Sequence, residues 1–294
     1  MILLTGSSGF LGQTIKNTLS NHEIISAGRN VGDVIFDVLK EIPVLPPCNI
    51  IIHAAGKAHS IPITKIEAQE FFDTNVTGTS NLLNGLKNAG LPKSFIFIST
   101  VAVYGKEAGR SVNEECPLSA KDPYGASKIQ AEKIVQGWCL KNSVICTILR
   151  LPLLAGPNPP GNLGAMIRGI KKGYYFNIAA GNAKKSIVLA EDVAKIIPIA
   201  ANIGGVYNLT DGYHPTFSEL SAVIAKQLHK NKPGNIPAWL AKLIANAGDL
   251  LGSKAPLNSD KLKKITSDLT FDDSNARELL GWDPTPVLNG FKIA

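Results

Sequence analysis

Two hydrophobic rhythms alternate along the first half of the chain. Short apolar runs of buried-strand type fall at residues 1–4, 23–27, 34–36, 49–53, 94–98 and 144–149. Between them, apolar positions three and four apart predict helices. One begins at residue 10, with Leu11, Ile15 and Leu19 on one face, and others span residues 64–90 and 124–141. Strand alternating with helix predicts an α/β fold, a doubly wound parallel sheet. Right-handed crossovers and a ligand site at the C-terminal strand ends follow from that fold.

After Pro152 the rhythm changes. Residues 153–185 are rich in Gly, Pro and Asn, residues 186–189 and 192–201 resume the strand and helix pattern, and residues 205–210 read as one more strand. From Thr216 helices dominate. The expected organisation is a sheet domain of residues 1–152, to which residues 186–210 return, and a smaller, mostly helical C-terminal lobe of residues 153–185 and 211–294. That lobe caps the C-terminal edge of the sheet.

The first strand runs directly into Thr5-Gly6-Ser7-Ser8-Gly9-Phe10-Leu11-Gly12 and then into a helix. Gly6 allows a tight turn, Gly9 a close approach of backbone to a pyrophosphate, and Gly12 a helix packed close to its strand. The helix N-terminus adds free N–H groups for the anion. Strand, glycine turn and helix in that order predict a Rossmann-like dinucleotide site, with Gly6, Ser8, Gly9, Phe10, Leu11 and Gly12 as its contacts.

A second candidate lies in the predicted helix of residues 124–141. Tyr124 and Lys128 stand four apart and share one face. A free tyrosine titrates near ~10 and is a poor base at neutral pH. A neighbouring ammonium, helped by a nicotinamide cation, stabilises the phenolate and lowers that value. Thr100, at the end of the 94–98 strand, is placed to hydrogen-bond the same substrate oxygen. Such a trio takes a proton from a carbinol or returns one to a carbonyl while hydride moves.

Composition narrows the field without naming a substrate. The chain has 294 residues, 45% of them hydrophobic, with mean hydropathy +0.10, enough for a sizeable core. No run is long and apolar enough to span a bilayer, and the start lacks the basic region and cleavage site of a signal peptide. Cys48, Cys116, Cys139 and Cys146 are scattered without metal-ligand spacing, so no metal is expected and the thiols suit a reducing cytoplasm. The net charge of +7 and pI near 9.1 favour anionic ligands. Lysines are dispersed without interleaved aromatics, so nucleic acid is not an expected partner.

Taken together, these motifs resemble the extended short-chain dehydrogenase/reductase family, in its nucleotide-sugar epimerase, dehydratase and reductase branch. The residues that carry the resemblance are Thr5–Gly12, His53-Ala54-Ala55-Gly56, Asn75–Thr79, Ser99-Thr100 through Tyr104-Gly105, Tyr124 with Lys128, and Leu149–Pro152. Gly161-Asn162 and Ala190-Glu191-Asp192 add to it. The resemblance implies an NAD(P)-dependent enzyme with Tyr124 as acid/base, Lys128 as its partner and ribose anchor, and Thr100 orienting the substrate. It implies Ala54, Ala55 and Gly56 beside the adenosine and ribose, Asp37 at the adenine, and Asn75, Ser99 and Leu151 as further cofactor positions. Asn75 equally reads as a structural tie between two strand-end loops. Asn162 would hold the substrate diphosphate, with Val101 and Lys185 also on the substrate side. A homodimer through the helices of residues 64–90 and 124–141 is implied as well.

Departures from the family pattern sharpen the reading. Dehydratases of the branch carry an acidic pair after the strand-end threonine; here those places are Val101 and Ala102. That leaves a 4-epimerase or a 4-ketoreductase. After the second strand an NAD enzyme usually presents a carboxylate to the ribose, whereas this chain has Arg29, which pairs with a 2′-phosphate and so favours NADP slightly, or equally stacks on adenine and leaves NAD open. The His53–His59 stretch and the short span after Asp37 resemble the subset acting on UDP-N-acetylhexosamine derivatives in surface-polysaccharide assembly, with Lys57 and His59 near sugar or diphosphate. The rival is a redox-sensing protein that binds the dinucleotide without chemistry; it has no use for Tyr124, Lys128 and Thr100 together. The apolar segment 236–251, with Trp239 and Lys242 near its start, is expected to pack inside the smaller lobe rather than lie on a membrane surface. Lys261, Lys263 and Lys264 read as a solvated face.

Overall fold

The computed structural model describes residues 1–58, 60, 62–252, 255 and 257–293. β1 (Ile2–Thr5) leads through the glycine turn into α1 (Phe10–Thr18), followed by β2 (Ile24–Gly28), β3 (Val34–Ile35) and β4 (Ile50–His53). The long helical stretch divides at a π-helical turn, Asp73–Thr77, into α2 (Lys65–Phe72) and α3 (Gly78–Ala89). A capping box between Thr64 and Glu67 starts α2. Next come β5 (Ser94–Thr100), β6 (Gly109–Val112), α4 (Pro123–Lys141) and β7 (Ile145–Leu151). Asp122 caps α4 and Pro123 occupies its first turn, which fixes where the helix carrying Tyr124 begins.

The remaining elements are β8 (Leu153–Ala155), α5 (Gly161–Lys172), β9 (Asn177–Ile178), β10 (Ile187–Leu189), α6 (Ala190–Ile203), β11 (Gly205–Asn208) and α7 (Phe217–Gln227). β12 (Asn235–Ile236), α8 (Ala238–Asp249), α9 (Ser259–Thr266), β13 (Leu269–Phe271), α10 (Ser274–Leu280) and α11 (Val287–Gly290) complete the chain.

Seven strands form one parallel sheet in the order β11-β7-β5-β4-β1-β2-β3. Its central strands are buried on both faces, which is why they read as unbroken apolar runs. Successive residues point to opposite sides. Leu4, Ile52, Ile96 and Leu149 join Ile15 of α1 and Ile197 of α6 in one core, while Leu3, Ile51, Phe95 and Ile148 join Leu82 and Leu86 of α3 and Val135 of α4 in the other. A third core, with Leu163 and Ile167 of α5, Leu220 and Ile224 of α7, Val287 and Phe291, belongs to the smaller lobe. The Rossmann-like fold is therefore as the rhythm predicts.

Three features differ from the expectation. β10 pairs with β8 in a two-stranded sheet of its own, and it is β11 that extends the main sheet beside β7. β6 and β13 pair with each other, a contact between segments too short to leave a periodic signal. Finally, α8 buries only Ala241, Ala245 and Gly248, so its large apolar residues are not packed inside the lobe.

Candidate active site

The C-terminal ends of β1, β4, β5 and β7 open into one cleft of about 690 Å³. Gly6, Gly9, Phe10, Leu11 and Gly12 line it together with Ala54, Ala55, Gly56, Ser99, Thr100, Tyr124, Lys128, Leu151 and Asn162. The topology accounts for this convergence, since parallel strands deliver all their following loops to the same edge.

The glycine turn fits a dinucleotide. Gly6 has φ +71°, and a Cβ there would lie 2.6 Å from the Ala55 nitrogen; a Cβ on Gly12 would lie 2.1 Å from the Gly6 carbonyl oxygen. Neither position admits a side chain. α1 begins on Gly9 with no side-chain cap and no acidic residue in its first turn, so its leading N–H groups are left for an anion.

Tyr124 and Lys128 share the inward face of α4. The Thr100 hydroxyl is hydrogen-bonded to Tyr124, and the Lys128 ammonium donates to the Ile98 carbonyl at 2.7 Å while lying 3.8 Å from the Phe97 ring centroid. Burial pushes the Tyr124 phenol above its ordinary value; the Thr100 hydrogen bond opposes the rise and Asp122 adds to it. This is opposite to the lowering expected from Lys128, because the lysine is directed at a backbone carbonyl and is itself desolvated. Burial draws the Lys128 ammonium down to about 7, against the attraction of Glu132.

Asn75 is not in the cleft lining. Its amide oxygen accepts from the Lys57 N–H at 2.7 Å, and its amide nitrogen donates to the Lys57 carbonyl at 3.1 Å and to the Ser127 hydroxyl at 2.9 Å. Ser127 in turn donates to the Tyr124 carbonyl at 2.8 Å. Asn75 thus joins the loop after β4 to the helix that carries Tyr124, from within a π-turn that re-aims its side chain. Beside it, Thr79 donates to the Asn75 carbonyl at 2.7 Å, so it accepts from His53 Nε2 at 2.9 Å, and His53 Nδ1 accepts from Thr5 at 2.7 Å. Burial, then the Lys128 charge, lowers His53 to about 3, so the ring is neutral.

Ser99 lines the cleft, but its hydroxyl donates to buried Glu132. Glu132 also receives Arg150 through two hydrogen bonds of 3.2 and 2.8 Å, and Arg150 donates to Tyr104 at 3.0 Å. Tyr104 donates to Asn208, whose amide reaches the carbonyls of Val112 and Asp272. Sequence reasoning assigned no part to Glu132 or Arg150. Two signals pointed there: an arginine inside an apolar strand needs a counter-charge, and Glu132 follows Lys128 by four on the same helix face.

Several expected contacts lie away from the cleft lining. Ser8 is exposed, its carbonyl taken by Gln13 at 2.9 Å, and Arg29 is exposed beyond the end of β2. Asp37 accepts from the Leu39 N–H at 3.1 Å and pairs with Lys40 at 3.8 Å. Val101 packs beside Val103 and Tyr104. Lys185 is turned away, its ammonium donating to the carbonyls of Lys264 and Ser267 at 2.9 Å each, at the end of α9. Lys57 does line the cleft, paired with Glu70. His59 lies outside the described residues. Among the described residues no cluster suits a metal ion, and no helix is long and apolar enough to cross a membrane.

The model of the NAD dependent epimerase/dehydratase family matches residues 2–209. The chain is similar to a UDP-glucose 4-epimerase of Vibrio cholerae, 30% identical over 99% of this chain and 93% of that protein. It is also similar to the N-acetyl-alpha-D-glucosaminyl-diphospho-ditrans,octacis-undecaprenol 4-epimerase of Escherichia coli O157:H7, 27% identical over 92% of this chain and 87% of that one. Among solved structures, the UDP-N-acetylglucosamine 4-epimerase from Bacillus cereus shares the fold with a TM-score of 0.74, over 97% of this chain and 91% of that one at 23% identity.

Proposed function

The chain belongs to the NAD-dependent epimerase/dehydratase family, and on that premise we propose that it moves a hydride at C4 of a hexose carried on a nucleoside diphosphate. The observation that supports this reading best is the meeting of Thr100, Tyr124 and Lys128 with the glycine turn in one cleft. A bound nicotinamide dinucleotide supplies the acceptor and donor of the hydride. Tyr124 Oη takes the proton of the C4 hydroxyl as hydride leaves that carbon, and gives one back when the C4 carbonyl is reduced. Thr100 Oγ1 orients the same oxygen, and Lys128 anchors the ribose.

A 4-epimerase and a 4-ketoreductase use the same three groups. Val101 and Ala102 supply no proton-transfer group for an elimination, which argues against a dehydratase. The substrate we infer is a UDP-sugar, in particular a UDP-N-acetylhexosamine derivative of polysaccharide assembly. The position of Asn162, in the first turn of α5 and in the cleft lining, supports its reading as the diphosphate contact. Arg29 favours NADP over NAD, and the four free cysteines suit a cytoplasmic enzyme. Exposed Ile66 of α2 and Leu140 of α4 suit a homodimer built on those helices.

The test is Tyr124→Phe, assayed on UDP-hexoses and UDP-N-acetylhexosamines. The expected outcome is a fall in kcat of at least ~100-fold with dinucleotide affinity retained. Retained turnover would overturn the assignment of Tyr124.

A further inference from the structure

Of all the surface, α8 departs furthest from what a water-facing helix should present. Ala241, Ala245 and Gly248 turn inward, and Lys242, Asn246 and Asp249 occupy one flank. The rest of the circumference is apolar and open to solvent. Trp239 is 64% exposed, Leu243 59%, Leu250 91% and Leu251 68%, with Leu240 and Ile244 completing the face. Trp239, Leu240, Leu243 and Ile244 are spaced three and four apart, Leu250 and Leu251 follow the end of the helix, and among the described residues nothing covers this apolar face. None of them lines the catalytic cleft.

The segments that lead to that stripe are basic. Residues 133–190 and 220–248 contain no Asp or Glu. Lys171 and Lys172 end α5, and after them come exposed Tyr174 and Phe176 and then β9, which pairs with the β12 strand leading into α8. Lys226 in the last turn of α7, with Lys230 and Lys232 after it, stands on the other approach, and all five lysines are exposed. Asp249, the acid at the end of the helix, is held by Ser259, whose N–H and hydroxyl donate to it at 2.9 and 2.6 Å.

We propose that α8 is an interfacial helix and that it seats the smaller lobe on an anionic lipid bilayer. An apolar face with a tryptophan near one end, a polar flank and a rim of lysines is the arrangement that lies in the plane of a membrane surface. The lysines meet the negative surface potential of anionic lipid, which a neutral protein partner would not require. The inference is independent of the reaction assigned above, since the stripe and the cleft share no residue.

Trp138 and Trp282 are buried, so Trp239 reports on α8 alone. The full-length chain is mixed with vesicles of phosphatidylcholine, with or without phosphatidylglycerol, and followed by co-sedimentation and tryptophan emission. Expected are sedimentation with the anionic vesicles and a blue shift of the emission, both weakened by salt. The paired change Leu243→Glu with Leu250→Glu should lower binding at least about tenfold while leaving turnover of free nucleotide sugar unchanged. Lys230→Glu and Lys232→Glu should each lower it about fivefold. Absence of both signals with anionic vesicles would overturn the proposal. So would light scattering that finds a dimer dissolved by Leu243→Glu, with vesicles having no effect, because the face would then belong to a second copy of the chain. Equal binding to neutral vesicles, unaffected by the lysine changes, would overturn it too.

Discussion

Two buried polar networks flank the cleft, and they are made of different materials. On the side of β1 and β4, Thr5, His53, Thr79 and Asn75 are joined by hydrogen bonds between neutral groups. On the side of β5 and β7, Ser99, Glu132, Arg150, Tyr104 and Asn208 are organised around a full ion pair. The neutral network works locally, setting the loops at Ala54–Lys57 and the start of α4. The ionic one reaches through Asn208 to the β6 and β13 segments. The contrast is one of what each leaves behind when a member is lost. A neutral donor left alone is a local penalty, whereas a buried charge left alone penalises the whole fold.

The sharpest way to break the comparison is Glu132→Ala. It strands the Arg150 guanidinium in the core and should cost about 3–5 kcal/mol, read as a lower denaturant midpoint. A loss no greater than that of a neutral substitution would erase the distinction between the two networks. Asn75→Ala tests the other side. It leaves the Lys57 N–H without its partner, and about 1–3 kcal/mol of stability should go. Weaker dinucleotide binding should accompany it, because Gly56 and the cleft-lining Lys57 are positioned through that side chain; titration of the dinucleotide reads this directly.

The last effect is a slope. His53 has a folded value near 3 and an ordinary value of 6.5, so the unfolded chain takes up a proton that the fold refuses. Its contribution is intact above about pH 6.5 and is lost as the pH falls toward 3. Thermal melts should therefore weaken by up to about 1.4 kcal/mol per pH unit in that window, and His53→Asn should flatten that dependence.

What was legible in the sequence follows the same division. Strands buried on both faces declared themselves as apolar runs, and the glycine turn was visible because its residues must be contiguous. Tyr124 and Lys128 were visible because a helix brings residues four apart together. The partners of Asn75 were not, since Lys57 and Ser127 lie 18 and 52 positions away and only the fold joins them. Lys185 misled for a related reason: its place in the chain suggested the nucleotide, while its long stem carries the charge to the end of α9. The expectation for α8 failed because amphipathic spacing tells which residues share a face and not whether anything covers it.

Tyr124, Lys128 and Glu132 stand on α4 at intervals of four, so the proposed proton-transfer group, its proposed cation and the anchor of the ionic network are graduations on a single rod. Adding or deleting one residue between any two of them would turn the later ones by about 100°. Catalysis and folding would then fail in the same event. The stretch from 124 to 132 is for that reason fixed in length even where its individual side chains are free to change, and any lengthening of the chain has to be accommodated in the loops on either side.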